Sequence, residues 1–236
     1  MSPIDDNART TDARHDKDFV TTIQTNEMNR ESWRKGHVTF TKIGQRLDHG
    51  LEAPFGLLSE CHRRIERFLS ALLTVADSRR GGTLAEADRE ILTAGLHYFR
   101  TVTPRHSADE EQSLFPRLRS STDPRAKAAI RIVERLEADH RVAEDHHDAV
   151  EALGCRWLRE GALPAGDARA LREHLVALER LYRRHIAIED LDLFPMAHRL
   201  LTPAELGAIG HEMAARRDDT MVAPAPRAIT RIALPE

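Results

Sequence analysis

Residues 105–116 read RHSADEEQSLFP, and residues 184–195 read RHIAIEDLDLFP. Both follow Arg-His-x-x-x-Glu-acid-x-x-Leu-Phe-Pro. A His and a Glu four residues apart share one face of a helix, so each stretch reads as a helix that can hold a metal ion from one side. Two such pairs on facing helices can hold two ions. The chain therefore reads as a helical bundle built around metal ligands.

The duplication reaches further. His62 lies 44 residues before His106, and His140 lies 45 before His185. A unit of about 78 residues thus occurs twice, each copy placing a lone His on one helix and a His-Glu pair on the next. One His-x-x-x-Glu arises easily in a chain with 13 histidines; two with the same flanks and upstream offsets do not.

The 236 residues fit one domain with tails. Charged residues make up 31% and aromatics 5%, and Ala, Leu, Arg and Glu dominate, which favours helix throughout. The formal charge of −3 argues against a nucleic-acid partner. No apolar run approaches the roughly 20 residues of a membrane span. The opening MSPIDDNARTTDARHDKDF lacks the apolar core of a secretory signal, so a cytoplasmic location is the expectation. Cys61 and Cys155 have no metal-ligand spacing and read as buried or partly buried thiols.

Residues 1–46 are polar, lack periodicity and read as a disordered tail, with His15 and His37 solvated. The bundle is expected over residues 47–217. Its first helix runs from about Pro54 to Asp77, with Leu58, His62, Ile65 and Leu69 inward. Thr83 with Glu86 then makes a capping-box signature. The second helix runs on to about Phe115, kinked near Pro104 and ended by Pro116; Leu92, Leu96, Phe99, Thr103, His106 and Glu110 share its inner face. The third runs from the Asp123-Pro124 start signal to about Glu160, with Val133, Leu136, His140, Ala143 and His147 inward. The fourth runs from about Asp167 to Phe194, with Leu171, Leu178, Leu181, Tyr182, His185 and Glu189 inward. Thr202-Pro-Ala-Glu opens a short fifth helix that ends near Arg217; residues 218–236 read as an irregular tail. Short connections make neighbours antiparallel. The fold class is all-α: an antiparallel up-down four-helix bundle with a short C-terminal fifth helix.

The candidate ligands are His62, His106, Glu110, His140, His185 and Glu189. Four imidazoles and two carboxylates in a pseudo-twofold arrangement are the ligand stock for two metals bridged by two carboxylates. Imidazole mixed with carboxylate, with positions left open, suits iron. Two cations also neutralise two Glu side chains that are costly to bury alone. Each iron would take two His nitrogens, one oxygen from each Glu and an oxo or hydroxo bridge. The remaining positions would accept dioxygen, peroxide or nitric oxide.

The pattern His…His-x-x-x-Glu…His…His-x-x-x-Glu, the Leu-Phe-Pro after each pair and the run Cys-His-Arg-Arg-Ile-Glu at 61–66 resemble the hemerythrin-like (HHE cation-binding) family of bacterial non-haem di-iron proteins. The resemblance covers residues 47–217. It implies a four-helix bundle whose di-iron centre binds oxygen or handles reactive oxygen and nitrogen species. The chain departs from the oxygen-carrying hemerythrins, which place two His four residues apart on the third helix; here the residue four after His140 is Glu144. Its spacing is closer to the branch that repairs iron–sulfur centres under nitrosative stress, but residues 1–46 contain none of the cysteines usual in that branch's N-terminal domain.

Several neighbouring residues admit two readings. Glu66 and Glu144, four residues after the lone His, either line the open side of the metals or are solvated helix carboxylates. Glu111 and Asp190 are either hydrogen-bond acceptors for His ligands across the bundle or exposed acids. Tyr182 either hydrogen-bonds near the metals or fills core. His147 reads as a polar core or channel position and His97 as facing away, while His49, His146, His174, His198 and His211 read as surface or loop residues. The expected function is small-molecule binding at a di-iron pair, in oxidative or nitrosative stress response, sensing or iron handling. The alternative is a di-iron enzyme with peroxidase, catalase-like or nitric-oxide-handling activity. The duplicated ligand set disfavours a metal-free structural bundle.

Overall fold

Every strongly periodic stretch is helical in the computed structural model, which describes residues 53–218. The expected N-terminal tail, the tail from residue 219 on, and His15, His37 and His49 lie outside the described residues. The first rod is α1 (Pro54–Arg79), with proline in its first turn, where a missing N–H costs nothing. The second rod is α2 (Glu86–Thr101), α3 (Thr103–Asp109), a five-residue π-helical turn (Glu110–Leu114) and α4 (Phe115–Ser120). The break at Val102 is the kink expected near Pro104. The third rod is α5 (Ala126–Glu160). The fourth is α6 (Ala165–Ile188), a second π-turn (Glu189–Leu193) and α7 (Phe194–Leu200). The fifth helix, α8 (Pro203–Asp218), opens on its capping box. The N–H and hydroxyl of Thr202 donate to Glu205 at 2.8 and 2.7 Å, and the Glu205 N–H returns to Thr202 Oγ1 at 3.3 Å.

The prolines behave differently from expectation. The second rod does not end at Pro116, nor the fourth at Phe194; they continue to Ser120 and Leu200. In both, the N–H of the Phe before the proline reaches back five residues, Phe115 to Glu110 and Phe194 to Glu189. A turn widened by one residue relieves the clash of a proline ring with the carbonyl four residues back, so the helix passes through. The Thr83–Glu86 capping box is also absent. α2 begins at Glu86 itself, uncapped by any side chain, and that Glu instead faces the positive end of the helix dipole.

The rods pack in the order first, second, third, fourth and back to the first. The turn at Gly81–Gly82 meets the turn at Gly161–Leu163: Leu163 N–H donates to Gly81 O at 2.7 Å and Trp157 Nε1 to Gly82 O at 2.9 Å. Alternate connections at one end are what up-down winding requires. The core forms two apolar blocks. One lies toward these turns and includes Ile65, Leu69, Leu96, Phe99, Trp157 and Leu178. The other includes Leu58, Phe115, Leu118, Val133, Leu136 and Phe194, and is closed by Ile209 and Met213 of α8. On every rod the candidate ligands fall between the two blocks. No helix among the described residues is long and apolar enough to cross a membrane.

Candidate metal centre

The six candidate ligands converge in that intermediate layer. Residues on α1 (His62), α3 (His106) and α6 (His185), with Glu110 and Glu189 at the first positions of the two π-turns, are each 2% exposed or less. His140, on α5, has a side chain 9% exposed. They form two groups of four, His62, His106, Glu110 and Glu189 on one side and Glu110, His140, His185 and Glu189 on the other. Both carboxylates belong to both groups. Glu110 Oε1 lies 3.3 Å from His106 Nε2, and its Oε2 lies 3.2 Å from His140 Nε2. Glu189 Oε2 lies 3.1 Å from His62 Nε2, and its Oε1 lies 3.2 Å from His185 Nε2. Each carboxylate turns one oxygen toward each group, as a bridging carboxylate does.

Apart from Nε2 of His140 and His185, which meet at 3.2 Å, these atoms do not satisfy one another. Nε2 of His62 and of His106, and all four oxygens of Glu110 and Glu189, are buried without a geometrically sound hydrogen bond among the described residues. Each such orphan costs on the order of 1–3 kcal/mol, and native interiors rarely tolerate them in number. A cation satisfies inward-facing lone pairs from several sides at once, so the residues fit a metal.

The family model of the hemerythrin HHE cation-binding domain matches residues 53–197, from the start of α1 into α7. The chain belongs to this family. No curated protein matches it.

In this hemerythrin domain two acids set imidazole tautomers, and a third lies just beyond hydrogen-bond reach of its imidazole. His62 Nδ1 donates to Asp190 Oδ1 at 3.1 Å, an oxygen that also accepts from Ser59 Oγ at 2.7 Å. His140 Nδ1 donates to Glu111 Oε1 at 2.7 Å. His185 Nδ1 faces Asp139 Oδ2 at 3.7 Å, while Arg184 holds the other oxygen at 2.8 Å. A proton on Nδ1 leaves the Nε2 lone pair facing the cluster, and the acid raises its basicity. Glu111 and Asp190 are therefore acceptors across the bundle. Each is the second residue of a π-turn. Separate Asp190→Ala and Glu111→Ala changes are expected to weaken metal binding about 10–100-fold without abolishing it. Competition against a chelator measures this; unchanged affinity would return both to ordinary surface acids.

Without a cation the cluster holds protons. Burial raises the Glu110 carboxyl, and the Glu189 charge adds to this, bringing it to about 7. Burial works against the Glu189 carboxylate too, but the facing His185 and His62 imidazoles outweigh it and hold that group below its ordinary range. Burial likewise opposes charge on His62 and His185. Asp190 and Glu189 nevertheless lift His62 to about 9, and Asp139 and Glu189 lift His185 to about 10. His106 is driven well below its ordinary value by burial and by His62. Metal uptake must displace protons from the raised groups. The apparent affinity is therefore expected to rise with pH from about 6 to about 10, with protons released on binding. Titrations in two buffers of different ionisation enthalpy test this, and uptake without proton release would contradict it.

Other expected positions divide clearly. Glu66 and Glu144 are exposed and belong to neither group, so they do not line the metal layer; Ile65 and Ala143 take the inward positions instead. Tyr182 is buried, and its hydroxyl lies 2.9 Å from His147 Nε2. His147 is partly buried and stacks on Phe99 at 4.8 Å, against the core. His97, His198 and His211 are exposed. His146 and His174 are half-buried and meet Nδ1 to Nδ1 at 2.9 Å. Cys61 is buried and Cys155 partly so.

Two features escaped the sequence reading. Asp139 directly precedes the lone His140, and that adjacency was the available signal. Asp109, fully buried beside Glu110, accepts from Arg216 Nε at 2.8 Å and Arg217 Nη2 at 2.7 Å, both on α8. The second copy has Ile188 at this position, so the repeat itself concealed the contact.

Proposed function

We propose that this hemerythrin domain holds two iron ions, one on His62 and His106 and one on His140 and His185, with Glu110 and Glu189 bridging both. The pair binds dioxygen, peroxide or nitric oxide, in oxidative or nitrosative stress response, sensing or iron handling. The observation that carries this reading is the membership of both buried carboxylates in both groups of four. Two imidazoles and two carboxylate oxygens per ion form a mixed nitrogen–oxygen set with open positions, which suits iron; no thiolate of the kind that closes structural zinc sites takes part. When bound, the ions supply redox-active Lewis-acid positions for a small molecule. The chain's own residues do the rest. Asp190 and Glu111 orient the His62 and His140 imidazoles, and the apolar blocks on either side keep bulk water out of the layer.

The test is metal analysis of iron-replete protein together with its absorption spectrum before and after peroxide or nitric oxide. Two irons per chain and a ligand-dependent spectrum are expected. One iron or none defeats the bridged pair. A second reading, enzymatic turnover of peroxide at the same pair, is favoured by the buried Tyr182–His147 contact beside His185.

A further inference from the structure

The chain has two tyrosines, and both lie in one run of packed rings that begins at a candidate ligand. The Tyr182 ring meets His185 edge-on at 6.2 Å. Its hydroxyl has His147 Nε2, at 2.9 Å, as its hydrogen-bond partner among the described residues. His147 stacks on Phe99 at 4.8 Å, Phe99 meets Tyr98 at 5.5 Å, and Tyr98 stacks on half-buried Phe68 at 4.4 Å. His147 Nδ1 is buried without a partner among the described residues. Burial holds the ring neutral, at about 4, so Nε2 can accept the phenolic proton. Nothing in metal ligation calls for this arrangement.

We propose that Tyr182 and His147 form a proton-coupled electron relay serving the metal pair, with peroxide as the oxidant. The proposal rests on the di-iron reading above. Reduction of peroxide to two waters takes two electrons and two protons. Tyr182 supplies one electron; its O–H bond breaks, an N–H bond forms at His147 Nε2, and a neutral tyrosyl radical remains. A one-electron reductant supplies the second electron, and solvent supplies both protons. A further equivalent of reductant, with the proton held on His147, restores Tyr182. Burial penalises charge on either ring, but an oxidised phenol that keeps its proton is a far stronger acid than an imidazolium, so the proton passes to His147. The rings of Phe99, Tyr98 and Phe68 offer the reductant's electron a packed path from the surface.

The experiment uses full-length protein with its iron content measured first. Peroxide and limiting ascorbate are mixed in, and the sample is frozen and read by electron paramagnetic resonance. A tyrosyl-radical signal is expected, narrowed by ring-deuterated tyrosine, absent in Tyr182→Phe and retained in Tyr98→Phe. His147→Gln keeps a hydrogen-bond acceptor but no base; it is expected to slow radical formation about 100-fold, the low end for a positioned proton acceptor. If Tyr182→Phe fails to load iron, His147→Gln and the deuterium narrowing decide. Iron-loaded wild type that forms no tyrosyl radical overturns the relay and leaves the di-iron reading standing, as does a radical unchanged in Tyr182→Phe. Protein that takes up no iron under replete conditions overturns both.

Discussion

Glu189→Ala is expected to lose both metals together. The side chain gives one oxygen to each group of four, so its removal strips a ligand from both positions. Glu110→Ala should do the same. His106→Ala removes a ligand from one group and leaves the other complete. Metal analysis should therefore fall from two per chain to below one for either Glu variant, with one retained for the His variant. Stability separates this outcome from simple misfolding. A metal at about 1,000 times its dissociation constant stabilises the fold by about 4 kcal/mol. Wild-type melting should rise with iron, while Glu189→Ala should not respond. Without metal the variant need not be weaker, since it lacks a buried carboxylate that has no full partner. Wild-type melting indifferent to chelation, or two irons retained in Glu189→Ala, would rule out shared carboxylates.

The second large effect is expected at Asp109. Its carboxylate is fully buried and bound by two guanidinium groups of α8. Asp109→Ala leaves both cations facing a hole beside the Glu110 turn. Breaking a buried pair by removing one partner costs about 3–5 kcal/mol, and the partial exposure of Arg216 and Arg217 places this variant toward the lower figure. The second attachment of α8, Arg117 to Glu212 at 3.0 and 2.6 Å, should keep the helix docked. Arg63→Ala, which breaks an exposed pair with Glu60, is the control and should change stability by no more than about 1 kcal/mol. Urea unfolding of both variants decides. Equal midpoints would show that water readily replaces the Asp109 carboxylate.

The ligands were legible because metal chemistry constrains residue type and helical geometry constrains spacing. His106 and Glu110, and His185 and Glu189, carry both constraints on contiguous stretches, and the duplicated offset drew His62 and His140 into the same set. The inward stripes followed from periodicity for the same reason. What escaped depends on contacts between distant segments or on departures from regular helix. Nothing local in Arg216-Arg217 announces a partner 107 residues away at Asp109. Pro116 reads as a terminator because a proline ring cannot fit a regular helix interior, and the widened turn that admits it is not a pattern of hydrophobicity. The four-residue spacing that identifies Glu110 leaves Glu144 open to two readings, and the structure takes the solvated one. α5 runs through that region without a widened turn, and its inward place there belongs to Ala143.

Each of the two widened turns amounts to one residue more than a regular helix needs. Were either turn to relax to ordinary pairing with no residue removed, every later side chain on that rod would rotate by about 100°. Phe115 and Leu118, or Phe194 and Ala197, would then swing out of the apolar block they now fill. The turn thus works as a phase shifter between two gears on one shaft. It lets the ligand layer and the greasy block beyond it be indexed separately. A lineage could re-aim the acids that steer the imidazoles while leaving the packing downstream in mesh.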